Sequence, residues 1–154
     1  MLRLAKRGHD TPAMQLFLDG EWRDLSEKTE VLNPFDGSVI DTVPSASPTE
    51  ITAAIDGLAR GAETMRNMPS HRRVEILRTA ADLMRERQEE LGRLISTEEG
   101  KVLAEGRIEA GRAIETIDLS ADEARRLHGE TVPLDSTPGG VGKLGFTLRV
   151  PCGI

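Results

Sequence analysis

From Ile51 to Ala124, apolar side chains return every three or four residues, interrupted at Pro69 and Gly100. That period belongs to amphipathic helices, and it obliges any fold to set several narrow aliphatic stripes against one another. The first stripe is Ile51, Ala54, Ile55, Leu58, Ala62 and Met65. Ahead of it, Ser47-Pro48-Thr49-Glu50 has the form of a capping box with proline at the first helical position. Pro69 stops that helix, and Ser70 stands where it can cap the next. Val74, Leu77, Ala81, Met84 and Leu91 continue the pattern, with Leu94 and Ile95 beyond. The charged and amide run from Glu86 to Glu90 leaves one long helix and two consecutive ones equally open. Gly100-Lys101 closes the block, a C-terminal glycine followed by a cation at the negative end of the helix dipole. A third helical block is expected from about Leu103 to His128. Its stripe is Ala110, Ala113, Ile114, Ile117, Ala121 and Ala124, and Gly129 is the natural residue to end it.

Extended segments flank the helices. Leu16-Phe17-Leu18 and Glu21-Trp22-Arg23 surround Asp19-Gly20, a two-residue hairpin signal because both turn positions need positive φ. Val31-Leu32 leads into Asn33-Pro34-Phe35-Asp36-Gly37, a second turn, after which Val39 to Val43 resumes extended. Past the helices, Thr131 to Leu134 is extended, Asp135 to Gly145 is a loop of small and turn-forming residues, and Phe146-Thr147-Leu148-Arg149-Val150 is expected to be a strand. The fold class is therefore α/β: N-terminal β-hairpins, three to four amphipathic helices and a C-terminal strand. Residues 1–13 are basic and lack the apolar centre of a secretory signal, so they are expected to be a disordered extension, with Met14 as a second start. The apolar run that closes at Ile154 carries no polar tail and reads as a chain cut short.

Composition removes several function classes. Twenty-six acidic against 20 basic residues give a net charge of −6, the wrong sign for a general nucleic-acid binder. No segment is apolar over the length needed to cross a bilayer. The single cysteine excludes an internal disulfide framework and suits a cytoplasmic location. Three Phe, one Trp and no Tyr leave the core to aliphatic residues. The histidines are scattered, and no metal-ligand spacing is present, so no metal site is expected. Gly140-Val141-Gly142-Lys143-Leu144-Gly145 fits the glycine pattern of a dinucleotide turn. A strand follows it where that chemistry needs a helix N-terminus, so it is expected to be a flexible loop. Cys152 has no neighbouring base to lower its pKa and is expected to be a small buried strand residue. The runs Arg85 to Glu90 and Asp122 to Arg126 read as solvated helix faces paired at i,i+3 and i,i+4. Arg112 lies opposite the apolar stripe on a half-polar face with Ile108, Glu115 and Leu119, a face suited either to solvent or to another domain.

Taken in order, several segments resemble the aldehyde dehydrogenase superfamily over residues 14–154. They are Leu18-Asp19-Gly20-Glu21-Trp22, Val31 to Ile40, Val43-Pro44-Ser45-Ala46, Arg73 to Arg85, Thr97-Glu98-Glu99-Gly100-Lys101, Leu127 to Pro133 and Phe146 to Ile154. The resemblance implies that 14–133 is the N-terminal part of a cofactor-binding domain. It implies that 134–154 holds a loop and the first strand of an oligomerisation structure, Phe146, Thr147, Leu148, Arg149 and Val150. In such enzymes a cysteine thiolate attacks the aldehyde, hydride passes to NAD or NADP, and a glutamate activates the water that releases the acid. The resemblance places those groups beyond Ile154, so no catalytic or cofactor-binding residue is expected here, and Cys152 is not the family's nucleophile. The isolated chain is expected to bind no cofactor and to be inactive. The resemblance is to the branch acting on anionic or small hydroxy-aldehydes; the block after Lys101 would line a substrate channel, and members that oxidise aldehydes bearing phosphate, phosphonate or similar anions place an arginine about where Arg112 sits, a guanidinium able to grip an anion. The expected partners are an aldehyde in the complete enzyme, further copies or a complementing C-terminal portion, and neither nucleic acid nor membrane. A different reading is a non-catalytic interaction module that pairs through its C-terminal strand.

Overall fold

A computed structural model describes residues 14–153, so the expected extension 1–13 lies outside the described residues. The first hairpin is β1 (Leu16–Leu18) against β2 (Glu21–Arg23), antiparallel with Phe17 opposite Trp22. Its turn has Asp19 at φ 49° and Gly20 at φ 81°, the paired left-handed conformations that Asp-Gly favours. The two rings lie 5.0 Å apart at a tilt of 53°. The second hairpin is β3 (Lys28–Leu32) against β4 (Val39–Pro44), with a register shift at Val31/Leu32. Its turn is closed by the side chain of Asn33, which accepts from the Phe35 amide at 2.9 Å, and by Gly37 at φ 72°.

Helix α1 (Pro48–Asn67) begins with the expected capping box: the Ser47 hydroxyl accepts from the Glu50 amide, and the Glu50 carboxylate accepts from the Ser47 amide at 2.7 Å. Arg73 fastens its far end by donating to the carbonyls of Met65 and Met68. Helix α2 (Ser70–Glu86) is capped by Pro69, whose carbonyl accepts from the Arg72 amide. Ser70 is therefore the first helical residue and not the cap, because Pro69 already holds the extended conformation that a cap needs. The open question over Glu86 to Glu90 resolves as two helices. Arg87, at φ −116° and ψ 16°, separates α2 from α3 (Gln88–Glu99). Gly100 ends α3 in the left-handed region at φ 70°, against the Pro34 ring of the second turn.

Helix α4 (Leu103–Ala124) lies along both α2 and α3 and is the centre of the packing. Its stripe buries Ala110, Ile114, Ala121 and Ala124, and Ala121 and Ala124 pack with Val74 and Leu77 of α2. The side chains in this core are small, so backbones come close. A Cβ on Gly106 would stand 2.4 Å from the carbonyl oxygen of Gly92, and one on Gly92 would stand 2.9 Å from the Cα of Arg107. The helix stops at Ala124, short of the expected His128, because the stripe has run out and Leu127 is exposed. Gly129 has a different task. A Cβ there would overlap the Thr147 carbonyl, so the glycine admits the returning C-terminal chain.

That chain forms less strand than expected. β5 (Thr131–Val132) pairs antiparallel with β6 (Gly145–Phe146), and the Thr147 amide adds one bond to the Glu130 carbonyl at 2.8 Å. Toward Leu144 the ladder ends at Pro133, which has no N–H to offer, and in the other direction Leu148, Arg149 and Val150 have no strand partner among the described residues. The run Gly140 to Gly145 follows a short 3₁₀ turn (Pro138–Gly140) and leads into β6, the loop its sequence context implies.

Candidate functional site

The outward face of α4 is where sequence and structure converge. Ile108, Arg112, Glu115 and Leu119 line up along it, all exposed, with Ile108 63% and Leu119 66% accessible. The stripe on the opposite side of the helix fixes which way this face points. Ion pairs then lock α4 about its axis. Arg78 of α2 donates to Asp118 at 2.5 Å and to Asp122 at 2.6 Å, and Arg85 donates to Asp118 at 2.7 Å. On the α3 side, the Arg107 guanidinium holds both oxygens of Glu89 at 2.7 Å. Lys101 reaches Glu99 and Glu109 at the N-terminal end of the helix.

These contacts shift the titration of their members. Hydrogen bonds from Arg107, aided by its charge and that of Arg93, hold the Glu89 carboxyl below the usual glutamate range. The bond to Asp118 raises the Arg78 guanidinium, and the bonds to Glu109 and then Glu99 raise the Lys101 ammonium. Every cation of this set is neutralised by a neighbour. Arg112 is different: among the described residues no carboxylate pairs with its guanidinium, and its backbone carbonyl accepts from the Thr116 hydroxyl at 2.9 Å. A free planar cation between two exposed aliphatic side chains can take an anion bidentately while its flanks shed water.

The second expected site is separate from the first. No hydrogen bond or ion pair joins Arg112 to Phe146, Thr147, Leu148, Arg149 or Val150 among the described residues. Phe146, Leu148 and Val150 are 61%, 72% and 72% accessible. Arg149 donates to the His128 carbonyl at 3.3 Å, and the His128 ring meets the Gly129 carbonyl at 2.9 Å. Cys152 is exposed and outside any strand, which corrects its expected burial; the extended chain around it has no neighbour to cover it among the described residues.

Three features were not singled out from the sequence: the clamp of Arg78 and Arg85 on Asp118 and Asp122, the Gly92/Gly106 crossing, and a cleft of about 520 Å³ between the first hairpin and α1. Only the last has the shape of a pocket. Among the described residues no three His, Cys, Asp or Glu side chains gather to hold a metal. No helix of the described residues is long and apolar enough to cross a membrane. The Gly140 to Gly145 loop presents no helix N-terminus, so these residues do not fit a dinucleotide pyrophosphate.

Comparison with known proteins extends the picture beyond this chain. A sequence model described as the aldehyde dehydrogenase family matches residues 22–154. The 3-sulfolactaldehyde dehydrogenase of Priestia megaterium is 39% identical over 140 residues, covering 90% of this chain and 29% of that protein. Aldehyde dehydrogenase 21 from Physcomitrella patens, solved with its reaction product succinate, superposes with a TM-score of 0.81 at 30% identity, over 88% of this chain and 29% of that one. The NADP-dependent glyceraldehyde-3-phosphate dehydrogenase of Bacillus halodurans, complexed with NADP, gives a TM-score of 0.78 at 32% identity, over 86% and 28%. The chain thus spans under a third of the length of the proteins it matches.

Proposed function

The chain belongs to the aldehyde dehydrogenase family, and we propose that it supplies the N-terminal portion of a cytoplasmic, oligomeric, NAD(P)-dependent enzyme that oxidises an aldehyde to a carboxylic acid. The observation that carries this reading is the agreement of sequence and fold with one segment, under a third, of much longer dehydrogenases. NAD or NADP accepts hydride in the complete enzyme. The isolated chain binds neither and is inactive. Turnover of aldehydes with NAD or NADP by the purified 154-residue chain, above background, overturns the second statement.

The role proposed for this segment is to present Arg112 to the substrate. Its unpaired guanidinium supports an aldehyde with a second, anionic end, a sulfonate, phosphate or carboxylate, and the relative named for 3-sulfolactaldehyde points the same way. The test is a chimera in which residues 14–154 replace the matching segment of the Priestia megaterium enzyme. The chimera oxidises aldehydes with NAD or NADP; a folded chimera with no such activity refutes the reading. Within it, Arg112→Ala lowers kcat/KM for an anionic aldehyde relative to a neutral one roughly ten- to hundredfold, the loss of one charge-assisted contact of about 1.5–3 kcal/mol. An unchanged ratio removes Arg112 from substrate recognition.

A second reading, a non-catalytic module that pairs through its C-terminal segment with a complementing portion or a full-length homologue, is favoured by the exposure of Phe146, Leu148 and Val150 beside the open edge of β6. Size-exclusion chromatography with and without that homologue tests it. A chain that stays monomeric in both cases counts against it.

A further inference from the structure

Most charges along α4 are neutralised by a neighbour: Asp118 and Asp122 by Arg78, Arg107 by Glu89, and Glu109 by Lys101. On the outward face Glu105, Arg112 and Glu115 are exposed and have no ion-pair partner among the described residues. Arg112 and Glu115 stand three positions apart, a rise of about 4.5 Å, which makes them neighbours one turn apart. The cation precedes the anion, the less favourable order for an ion pair along a helix, and no such pair joins them. Glu105 lies two turns from Arg112 on the other side, a rise of about 10.5 Å. Ile108 and Leu119 bracket Arg112 and Glu115 with aliphatic surface.

This arrangement separates anions by their charge. A sulfonate or a carboxylate carries one negative charge at neutral pH, whereas a phosphate monoester, with its second pKa at about 6, approaches two. One guanidinium can grip any of the three bidentately, and it neutralises a single charge. The second charge of a phosphate then stands beside the Glu115 carboxylate. Glu105 adds to the negative potential from farther along the helix, and no second free cation on this face offsets it among the described residues. The aliphatic flanks of Ile108 and Leu119 thin the water around the group, which strengthens the repulsion.

We propose that Glu115 determines the charge specificity of the anion site at Arg112, selecting aldehydes with a monoanionic end, a sulfonate or carboxylate, over those with a phosphate dianion. The inference rests on the reading of Arg112 as the contact for an anionic substrate end. Arg112 supplies the attraction common to all three groups, and Glu115 supplies the repulsion that distinguishes them.

The test uses the chimera of residues 14–154 in the Priestia megaterium enzyme and two aldehydes of one carbon skeleton, one ending in a sulfonate and the other in a phosphate. At about pH 8 the phosphate is a dianion, and Glu115→Gln raises kcat/KM for the phosphate relative to the sulfonate roughly three- to tenfold. The gain shrinks as the pH falls below about 6, where the phosphate takes up a proton. A merely structural role for Glu115 would give a ratio that does not follow the charge of the substrate. Glu115→Asp keeps the carboxylate and keeps the ratio of the unsubstituted chimera. An unchanged ratio for Glu115→Gln in alkaline solution, or a change that persists undiminished in acid, overturns the inference. So does a Glu115→Gln chimera that fails to fold, since an exposed side chain without a partner is dispensable to the fold. If Arg112→Ala shifts the anionic-to-neutral ratio while Glu115→Gln leaves the phosphate-to-sulfonate ratio alone, the inference fails by itself. If Arg112→Ala leaves its own ratio unchanged, or the folded chimera has no activity, the functional reading fails and the inference falls with it.

Discussion

Gly106→Ala and Gly61→Ala add the same methyl group to the interior of a helix, yet the structure gives them opposite signs. Each gains about 1 kcal/mol in helix propensity from the loss of glycine. At Gly61 nothing lies within 4 Å of the new Cβ, so the gain stands. At Gly106 the new Cβ meets the Gly92 carbonyl oxygen at 2.4 Å and the Ser96 amide nitrogen at 3.3 Å, and both are backbone atoms. No flexible side chain can yield there. To restore an ordinary contact, α3 and α4 must separate by about 1 Å at their crossing, a misfit of the size that costs about 1–3 kcal/mol in a packed interior. The propensity terms cancel between the two variants. Gly106→Ala is therefore about 1–3 kcal/mol less stable than Gly61→Ala. Urea unfolding of the isolated chain followed by far-UV circular dichroism measures the difference, since the helices supply most of the ellipticity. Unchanged m-values keep the comparison within one transition. A Gly106→Ala chain as stable as Gly61→Ala would mean that the helices do not cross at these glycines, and the placement of Arg112 argued above would lose its support.

Two further substitutions test the electrostatics and the capping. Glu89 titrates below its ordinary value of 4.5 in the folded chain, chiefly because of Arg107, so its stabilisation is present above that pH and is lost as the pH falls through the lower folded value. Arg107→Ala therefore moves the acid-unfolding midpoint, followed by circular dichroism, to higher pH, and the shift shrinks in high salt; a midpoint equal to that of Arg112→Ala, which breaks no ion pair, refutes the role of the pair. Ser47→Ala removes the hydroxyl that accepts from the Glu50 amide and destabilises the chain by about 0.5–2 kcal/mol. Unchanged urea stability would show that α1 does not depend on its cap.

The elements that the sequence anticipates are those written in local chemistry. Asp19-Gly20 determines its own turn, Ser47 to Glu50 its own cap, and Gly100 its own helix end, because each needs only neighbours within a few residues. Arg112 could be placed opposite the buried stripe for the same reason, since helical spacing alone decides it. Features that depend on a distant partner were misjudged or missed. Phe146 to Val150 has the composition of a strand, but ladder length is set by its partner β5, which begins only at Thr131 and so leaves Leu148 to Val150 without a strand opposite. Gly129 looks like a helix terminator, and its actual constraint is a carbonyl 18 positions later, at Thr147. Asp118 and Asp122 look like solvent-facing charges until α2 lies alongside and brings Arg78 and Arg85 within reach.

The same distinction explains how a chain with few large buried side chains can hold the Arg112 face of α4 in position. Burial of alanines at the α2–α4 contact removes little apolar area from water, so close backbone approach and ion pairs carry more of the specificity than bulk hydrophobicity does. Such contacts tolerate little sliding. Gly92 and Gly106 fix where α3 and α4 cross, and the bidentate Glu89–Arg107 pair fixes the rotation of α4 one residue farther on. Arg112 lies five residues beyond Arg107 on that helix, a rise of about 7.5 Å, so its direction is set by the same two constraints. Its cationic group is thus oriented by elements within this chain. The anion contact proposed for Arg112 therefore depends on a direction that Gly92, Gly106 and the Glu89–Arg107 pair set within this chain.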